Sequence, residues 1–379
     1  MRLTCQQEDL NRGLSAVARA IPARTTLPIT NHVLLEASDG SITLSATDAE
    51  TIAITYTIPG DVDTPGSLTL PSRLLSEFVG SLPSSTIEMT LAERSRQAHL
   101  SCSRNEASIG GMDPEEFPPI PPVADLPALR IPAAALRRAL SQVVFAAATD
   151  DARPVLTGVQ MAIGGTKVVL AAADGFRLSV HTLELPEETE ERTAIVPARA
   201  LGELLRLLPE SGEETVAVSF NTSGRQAQFD IGHATLVAQL IEGTFPNYEQ
   251  LIPPSHSTRT EVLLDEFMRE ARIASIFARD GSGIVRLVAS EGEPGQPGRL
   301  LVSARAEEIG TNEGEIDGIV EGDEAKIAFN GRYLTDVLQA VATERVALET
   351  SSPSSPGVFR PVGDDAFVHV VMPMFVQWA

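Results

Sequence analysis

The chain repeats itself. Leu27-Pro28-Ile29-Thr30-Asn31-His32-Val33 resembles Arg153-Pro154-Val155-Leu156-Thr157-Gly158-Val159, and the prolines are 126 residues apart. Ile42–Asp48 resembles Val168–Asp174, with the aspartates again 126 apart. Leu70-Pro71-Ser72-Arg73-Leu74-Leu75 resembles Val196-Pro197-Ala198-Arg199-Ala200-Leu201 at the same offset. Independent matches at one offset mark a duplication. A third copy has drifted more. Ile327-Ala328-Phe329-Asn330-Gly331-Arg332-Tyr333-Leu334 matches the Pro-x-Arg-x-Leu element at an offset of 133, with Asn330 in place of Pro197. The added length fits an insertion at Glu291–Gly298, a Gly/Pro-rich hairpin tip. Phe117-Pro118, Phe245-Pro246 and Met372-Pro373 end the units at spacings of 128 and 127. A chain of 379 residues is thus three homologous units of about 125, each with its own small core.

Each unit opens with a helix, runs through strands, carries a second helix near its middle and closes with strands. Leu10, Leu14, Val17, Ala18 and Ile21 recur at helical spacing, as do Leu74, Leu75, Phe78 and Leu82 in the second helix. The later units supply Leu136, Leu140, Val143 and Val144, then Leu201, Leu204, Leu205 and Leu208. The last supplies Phe267, Ala271 and Ala274, then Leu334, Val337, Leu338 and Val341. The spacing predicts helices over 8–21, 71–82, 132–146, 198–208, 264–277 and 331–342. Ile52–Ile58 and Thr86–Leu91 read as strands by alternation and β-branching. The expected class is α+β, with helices packed on antiparallel sheets. Expected domains are 1–122, 128–252 and 258–379, joined by proline-rich linkers at 117–129 and 253–260.

Charge narrows the function. Lys+Arg is 29 and Asp+Glu is 51, a net −22, which argues against a generic basic nucleic-acid binder or a binder of anionic membranes. Positive charge confined to one surface remains compatible. The six predicted helices carry ten basic and eight acidic residues, so they stand at +2 and the remainder at −24. A single helical arginine is more often an ordinary solvated residue; the asymmetry of the whole set carries the argument. Helices facing one common space would line it with mild positive charge, which suits loose, sequence-independent phosphate contact. Tight base readout needs side chains inserted into a groove. Only Lys167 and Lys326 are available for lysine chemistry. No stretch reaches the ~20 apolar residues of a spanning helix. Residues 1–9 have no apolar signal core, and the two cysteines, Cys5 and Cys102, cannot form a disulfide framework. A reducing cytoplasm is the expected setting.

Catalytic patterns are missing from the sequence. His32, His99, His181, His233, His256 and His369 form no HxH or HxxxH, and there is no CxxC, so neither zinc nor any other cofactor is expected. There is no G-x-x-x-x-G-K loop. Asp280-Gly281-Ser282-Gly283 lacks the G-x-S-x-G frame and reads as a hairpin turn. The pairs Asp150-Asp151 and Asp364-Asp365 read as solvated loops.

In order and at family spacing, several motifs mark a resemblance that covers the whole length. They are Arg24-Thr25-Thr26-Leu27-Pro28-Ile29, Asp151–Val159, Asp174-Gly175-Phe176-Arg177-Leu178, Phe245-Pro246-Asn247-Tyr248, Phe329–Leu334 and Val370-Val371-Met372-Pro373-Met374. The chain resembles the beta subunit of bacterial DNA polymerase III, the sliding-clamp family. The resemblance implies three clamp domains per chain and a head-to-tail homodimeric ring around duplex DNA. It implies no chemistry of its own. Implied partners are the catalytic subunit of DNA polymerase III, a clamp loader complex and other proteins with clamp-binding motifs, and no membrane.

The resemblance also implies three sets of residues. DNA-facing candidates are Arg24, Arg73, Arg137, Arg153, Arg199 and Arg332, whose guanidinium groups suit phosphate oxygens. The client-peptide pocket, between the second and third domains, would use Leu156, Gly175, Arg177, Leu178, Pro246, Leu251, Val370, Met372, Pro373 and Met374. Methionine repacks easily around varied peptides. The dimer interface would use Ala107 and Ile109 against Ile276 and Phe277. Departures from the family are Ala173, Phe176, Gln250, Phe375 and the ending that runs on to Trp378 and Ala379. They suggest a more apolar pocket edge. Ala107 stands where a larger aromatic occurs, so a weaker dimer is expected. Two rival readings are an enzyme with an unrecognised polar site and an elongated monomeric scaffold without DNA.

Overall fold

The computed structural model describes residues 1–91, 96–120, 123, 129–150, 152–210, 212, 214–279, 281–293, 295–306 and 310–378. Asp151, Asp280, Ala379, most of the expected first linker and part of the expected 291–298 tip lie outside the described residues.

The first repeat runs β1 (Arg2–Gln6), α1 (Gln7–Val17), β2 (His32–Ser38), β3 (Ser41–Thr47), β4 (Ile52–Pro59), β5 (Asp61–Thr64), β6 (Gly66–Pro71), α2 (Ser72–Ser81), β7 (Thr86–Leu91), β8 (Gln97–Cys102) and β9 (Asn105–Gly110). The second runs β10 (Leu129–Pro132), α3 (Ala133–Val143), β11 (Gly158–Ala173), β12 (Arg177–Pro197), α4 (Ala198–Leu207), β13 (Thr215–Phe220), β14 (Gln226–Asp230) and β15 (Ala234–Gln239). The third runs β16 (Thr258–Leu263), α5 (Leu264–Arg279), β17 (Ile284–Ser290), β18 (Gly298–Ala306), β19 (Gly310–Gly322), β20 (Ala325–Asn330), α6 (Gly331–Ala340), β21 (Arg345–Thr350), β22 (Gly357–Pro361) and β23 (Phe367–Val371).

All six expected helices are present. Leu10, Leu14 and Val17 of α1 are fully buried on one face, as their spacing requires. The end of α1 departs from expectation. Residues 18–20 tighten into a 3-10 turn and Ile21 is extended, because the α conformation is disfavoured before Pro22. The spacing also ran α3 too far; residues 144–146 form a 3-10 turn. In the second repeat, β11 breaks register at Gly165, whose φ is +57°. The first repeat turns at the corresponding place through Asp39 and Gly40, both at positive φ. No helix among the described residues is long and apolar enough to cross a membrane.

The strands join the repeats. An eight-stranded sheet has the order β10-β13-β14-β15-β4-β3-β2-β6, so the second repeat pairs with the first through β15 and β4. A ten-stranded sheet has the order β11-β12-β23-β22-β21-β16-β19-β18-β17-β20, so the third pairs with the second through β23 and β12. A five-stranded sheet, β5-β1-β7-β8-β9, completes the first repeat. The chain therefore packs as two compact bodies, 1–137 with 199–242 and 138–198 with 243–379, and the central repeat divides between them. Phe267, Phe329, Phe359 and Phe367 centre the core of the third repeat.

Candidate functional site

The loop between β11 and β12 organises the candidate peptide site. Asp174 Oδ1 accepts the N–H groups of Phe176 (2.8 Å) and Arg177 (3.0 Å), an Asx-type turn. Gly175 sits at φ +94°, and a Cβ there would lie 2.8 Å from Arg153 Nη2. The positive φ favours glycine here, while the Arg153 guanidinium, at the end of a flexible side chain, could shift for a Cβ. Asp48 does the same work in the first repeat, accepting the N–H groups of Glu50, Thr51 and Ile52. Burial raises its pKa, but the Thr51 hydroxyl and these N–H groups outweigh it, and the carboxyl ends below its ordinary value. The repeated aspartate is a loop former.

Arg177 departs from the expected pocket role. Its guanidinium is buried and points inward. Nε donates to Asp174 Oδ2 (3.0 Å), Nη1 to Asp336 Oδ2 (2.6 Å) and Nη2 to the Phe145 carbonyl (2.7 Å). It also stacks on Tyr333, 4.4 Å from the ring centroid. The group holds the loop and offers no free charge to a peptide. Leu178 pairs with Val370 across the β12–β23 joint, and both side chains are buried, as is Leu156. These form the floor.

The surface over that floor is apolar. Phe176 is 60% exposed, Met372 43%, Met374 38%, Leu251 52% and Phe375 92%. The Met372 N–H donates to the Phe176 carbonyl (2.8 Å), which sets these two residues side by side. The Met374 N–H donates to the Ala328 carbonyl (2.7 Å), and Pro373 lies half-buried between them. Pro246 is exposed on the segment after Gly243, which packs against Val155 beside the Pro154–Thr157 turn. Phe176 therefore joins the candidate site, although the sequence marked it only as a departure, and Phe375 follows Met374 in the chain as an exposed ring. Asp174, Asp336 and Tyr333 were missed as partners of Arg177; only the repeated Asp48/Asp174 carried a signal. Trp378 at the end of the chain lies 5.8 Å from the Arg286 guanidinium.

Two histidines lie under the joint. His369 Nδ1 is 2.6 Å from Ser179 Oγ, and its pKa is pushed down to about 3 by burial and then by Arg177. His181 Nδ1 donates to Gln142 Oε1 (2.7 Å). Its pKa falls to about 4 through burial and Arg138, opposed by Asp364. Both rings are neutral near pH 7.

The first joint has the same loop with different chemistry. Thr47, Ala49–Ala53, Pro118–Ile120, Gln226, Val237 and Gln239 line a cleft of about 280 Å³. Gln239 stands in the position of Met372, and Glu50-Thr51 in the loop position of Phe176. The apolar surface belongs to the second joint alone among the described residues.

The arginines sort differently from expectation. Arg73, Arg199 and Arg332 each occupy the second position of α2, α4 and α6, and all are exposed. A cation in the first helical turn opposes the helix dipole, so its recurrence in every repeat has no stability rationale. Arg73 pairs with Glu77 (2.9 Å), Arg199 with Asp48 (3.0 Å) and Arg332 with Asp336 (3.9 Å). The Arg73–Glu77 pair is exposed on both sides and holds by about 0–1 kcal/mol, so a phosphate can replace its carboxylate at small cost, whereas the carboxylates of Asp48 and Asp336 are the more buried partners of theirs. Arg24 is exposed as well.

Arg137 is spent elsewhere. It donates to the carbonyls of Leu205 (2.7 Å) and Leu208 (2.8 Å) and caps the end of α4. Arg153 donates to the Asp174 carbonyl (3.1 Å) and belongs to the peptide-site loop. Most other helical arginines are ion-paired, among them Arg12, Arg19, Arg138, Arg206 and Arg269. The helical surfaces are closer to neutral than the residue count implied.

The expected interface residues are also divided. Ile276 is 57% exposed, while Phe277 packs partly on the third-repeat core. Ile109 is buried within its own sheet, and Ala107 is half-buried. What β9 presents outward is an unpaired backbone edge, since β8 is its only neighbour among the described strands.

Family models of the DNA polymerase III beta subunit match along the chain. The N-terminal domain matches 1–121, the central domain 130–247 and the C-terminal domain 249–375. A beta sliding clamp of Staphylococcus aureus is 29% identical over 384 residues, covering 99% of each chain. A crystal structure of the DNA polymerase sliding clamp of Bacillus subtilis is 27% identical, with a TM-score of 0.91 over 100% of both chains. A sliding clamp of Pseudomonas aeruginosa bound to griselimycin is 26% identical, with a TM-score of 0.89 over 99% of this chain and 100% of that one.

Proposed function

The chain belongs to the DNA polymerase III beta subunit family, and on that premise we propose how its residues serve as a sliding clamp. As a member it is a non-catalytic processivity factor of DNA replication. Two copies close head to tail around duplex DNA. The exposed arginines of α2, α4 and α6, with Arg24, touch phosphates loosely, and retention is topological. The apolar surface of Phe176, Met372, Met374, Leu251 and Phe375 takes short peptide segments of the polymerase catalytic subunit, a clamp loader complex and other clients.

The observation that carries closure is strand pairing. In each internal joint, the last strand of one repeat pairs with the strand that follows the Asp loop of the repeat before it. Two such edges remain open among the described residues: β9 of the first repeat, and Gly310–Asp317 of β19 in the third. A second copy supplies each with its missing neighbour.

Small-angle scattering at micromolar concentration tests closure. A hollow particle of twice the 40.4 kDa chain mass supports it, and a compact or rod-like monomer overturns it. Retention on circular DNA, lost on linearisation, then tests encirclement. Met372→Ala and Phe176→Ala each weaken client-peptide binding at least tenfold; unchanged affinity in both removes the pocket assignment.

A further inference from the structure

The two internal joints share one register, and this assigns the contacts of the third. Thr235 lies opposite Thr55 in the first joint, and Val368 opposite Val180 in the second. The ladders make these positions equivalent between repeats. Gln6↔Thr86, Glu88↔Ser101 and Ser101↔Glu106 in the first repeat correspond to Pro132↔Thr215, Ala217↔Asp230 and Asp230↔Thr235 in the second. Glu106 is therefore the counterpart of Thr235. On the other edge, His32↔Pro71, Leu34↔Ser45 and Ser45↔Thr55 correspond to Ile284↔Asn330, Arg286↔Ser303 and Ser303↔Glu313. Glu313 is therefore the counterpart of Thr55.

We propose that the joint between two copies sets Glu106 of one directly opposite Glu313 of the other, a like-charged pair that loosens the ring. The inference rests on the ring reading above. The same register sets Ala107 opposite Asn312 and Ser108 opposite Thr311. Burial agrees with it. Glu106 and Glu313 are both exposed, while Ala107 and Asn312 are both half-buried on the inner face. Asn312 Oδ1 is buried with no hydrogen-bond partner, as fits an edge that lacks its neighbour. Asn105, on the same inner row as Ala107, is the diagonal donor from the second copy.

Where the internal joints place Thr–Thr and Val–Val, the joint between copies places Glu–Glu, and like charges directly opposite are unfavourable. No cation stands directly opposite either carboxylate; the nearest cations on their face are diagonal, Arg104 two residues before Glu106 and Arg305 on β18 opposite Thr311. Glu106 shares its face with Ser101 and Glu88, and Glu313 with Ser303 and Arg286, two strands away. Arg104, at the β8–β9 turn, comes level with Glu315, which already pairs with Arg299 (3.4 Å).

Charge reversal tests the pairing by its sign. The dimer dissociation constant is measured by sedimentation for the full chain, Glu106→Lys, Glu313→Lys and the double variant, with Glu188→Lys as a control for net charge. Each single reversal tightens the dimer roughly tenfold or more across its two joints, and the double variant returns to the original affinity or below it. Raising salt from about 0.05 M to about 0.5 M tightens the unaltered dimer and loosens the single variants. A double variant tighter than either single one, or a control that tightens equally, overturns the pairing. A dimer indifferent to every reversal does so too, and leaves the ring reading standing. A monomer at micromolar concentration in all variants removes the ring reading itself.

Discussion

Arg177 shows how much packing adds to a residue marked by its motif. Its position in Asp-Gly-Phe-Arg-Leu suggested contact with a client. Its buried fork to Asp174, Asp336 and Phe145 makes it the post that holds the loop. Arg177→Ala would leave two carboxylates without their partner and is expected to cost about 3 kcal/mol in urea unfolding. Arg177→Lys would recover little, since an ammonium cannot reproduce the planar fork. His181 and His369 add a pH dependence. Their folded pKa values, about 4 and about 3, lie below the ordinary 6.5. Between those values and 6.5 the unfolded chain binds more protons. Stability is therefore full above about pH 6.5 and falls as the pH drops toward 4, by at most about 1.4 kcal/mol per pH unit per histidine. Urea midpoints at a series of pH values check this, and His181→Gln should flatten the slope.

Among the elements, repetition made helix positions legible, and helix ends less so. The apolar spacing in α1 and α3 continues past the point where the backbone leaves the α conformation, because a 3-10 turn presents nearly the same face. Arginine roles were not legible at all: Arg137 and Arg73 look alike in sequence, and only packing separates a cap from an exposed cation. Arg137→Ala is expected to lower stability by about 1 kcal/mol through the lost α4 cap, with DNA retention unchanged. Arg73→Ala is expected to do the reverse. Asn330 accepts the N–H groups of Arg332 and Tyr333, so Asn330→Ala should cost about 1 kcal/mol in a thermal melt. Pro71 provides no side-chain cap at the equivalent position in the first repeat.

For the whole molecule, the proposed ring makes acidity and DNA binding compatible, because a closed ring would not need strong attraction to stay on its track. With Arg73, Arg199 and Arg332 all changed to alanine, salt should dissociate the clamp from circular DNA less steeply. The slope of log affinity against log salt becomes shallower by roughly one unit per arginine that touches phosphate. A slope identical to the original would place the contacts elsewhere, with Arg24 the next to change. The closed state is expected to be weaker than in relatives with a large aromatic at the place of Ala107. A dimer that survives dilution to nanomolar concentration would refute that.

The amino-acid order alone determined the threefold repeat, the six helices, the α+β class, the family and the matched positions of Asp48 and Asp174. Each of these is local or periodic, and a matching spacing preserves it. Tertiary structure decided what cross-strand pairing and burial decide. It turned Arg177 inward, put Arg137 on a helix end, buried Ile109 and brought Phe176 beside Met372. It also joined three repeats through two shared sheets and left open the two strand edges from which the Glu106–Glu313 pairing is proposed. Those relations link residues that are far apart in the chain or belong to different copies, and no local pattern encodes them.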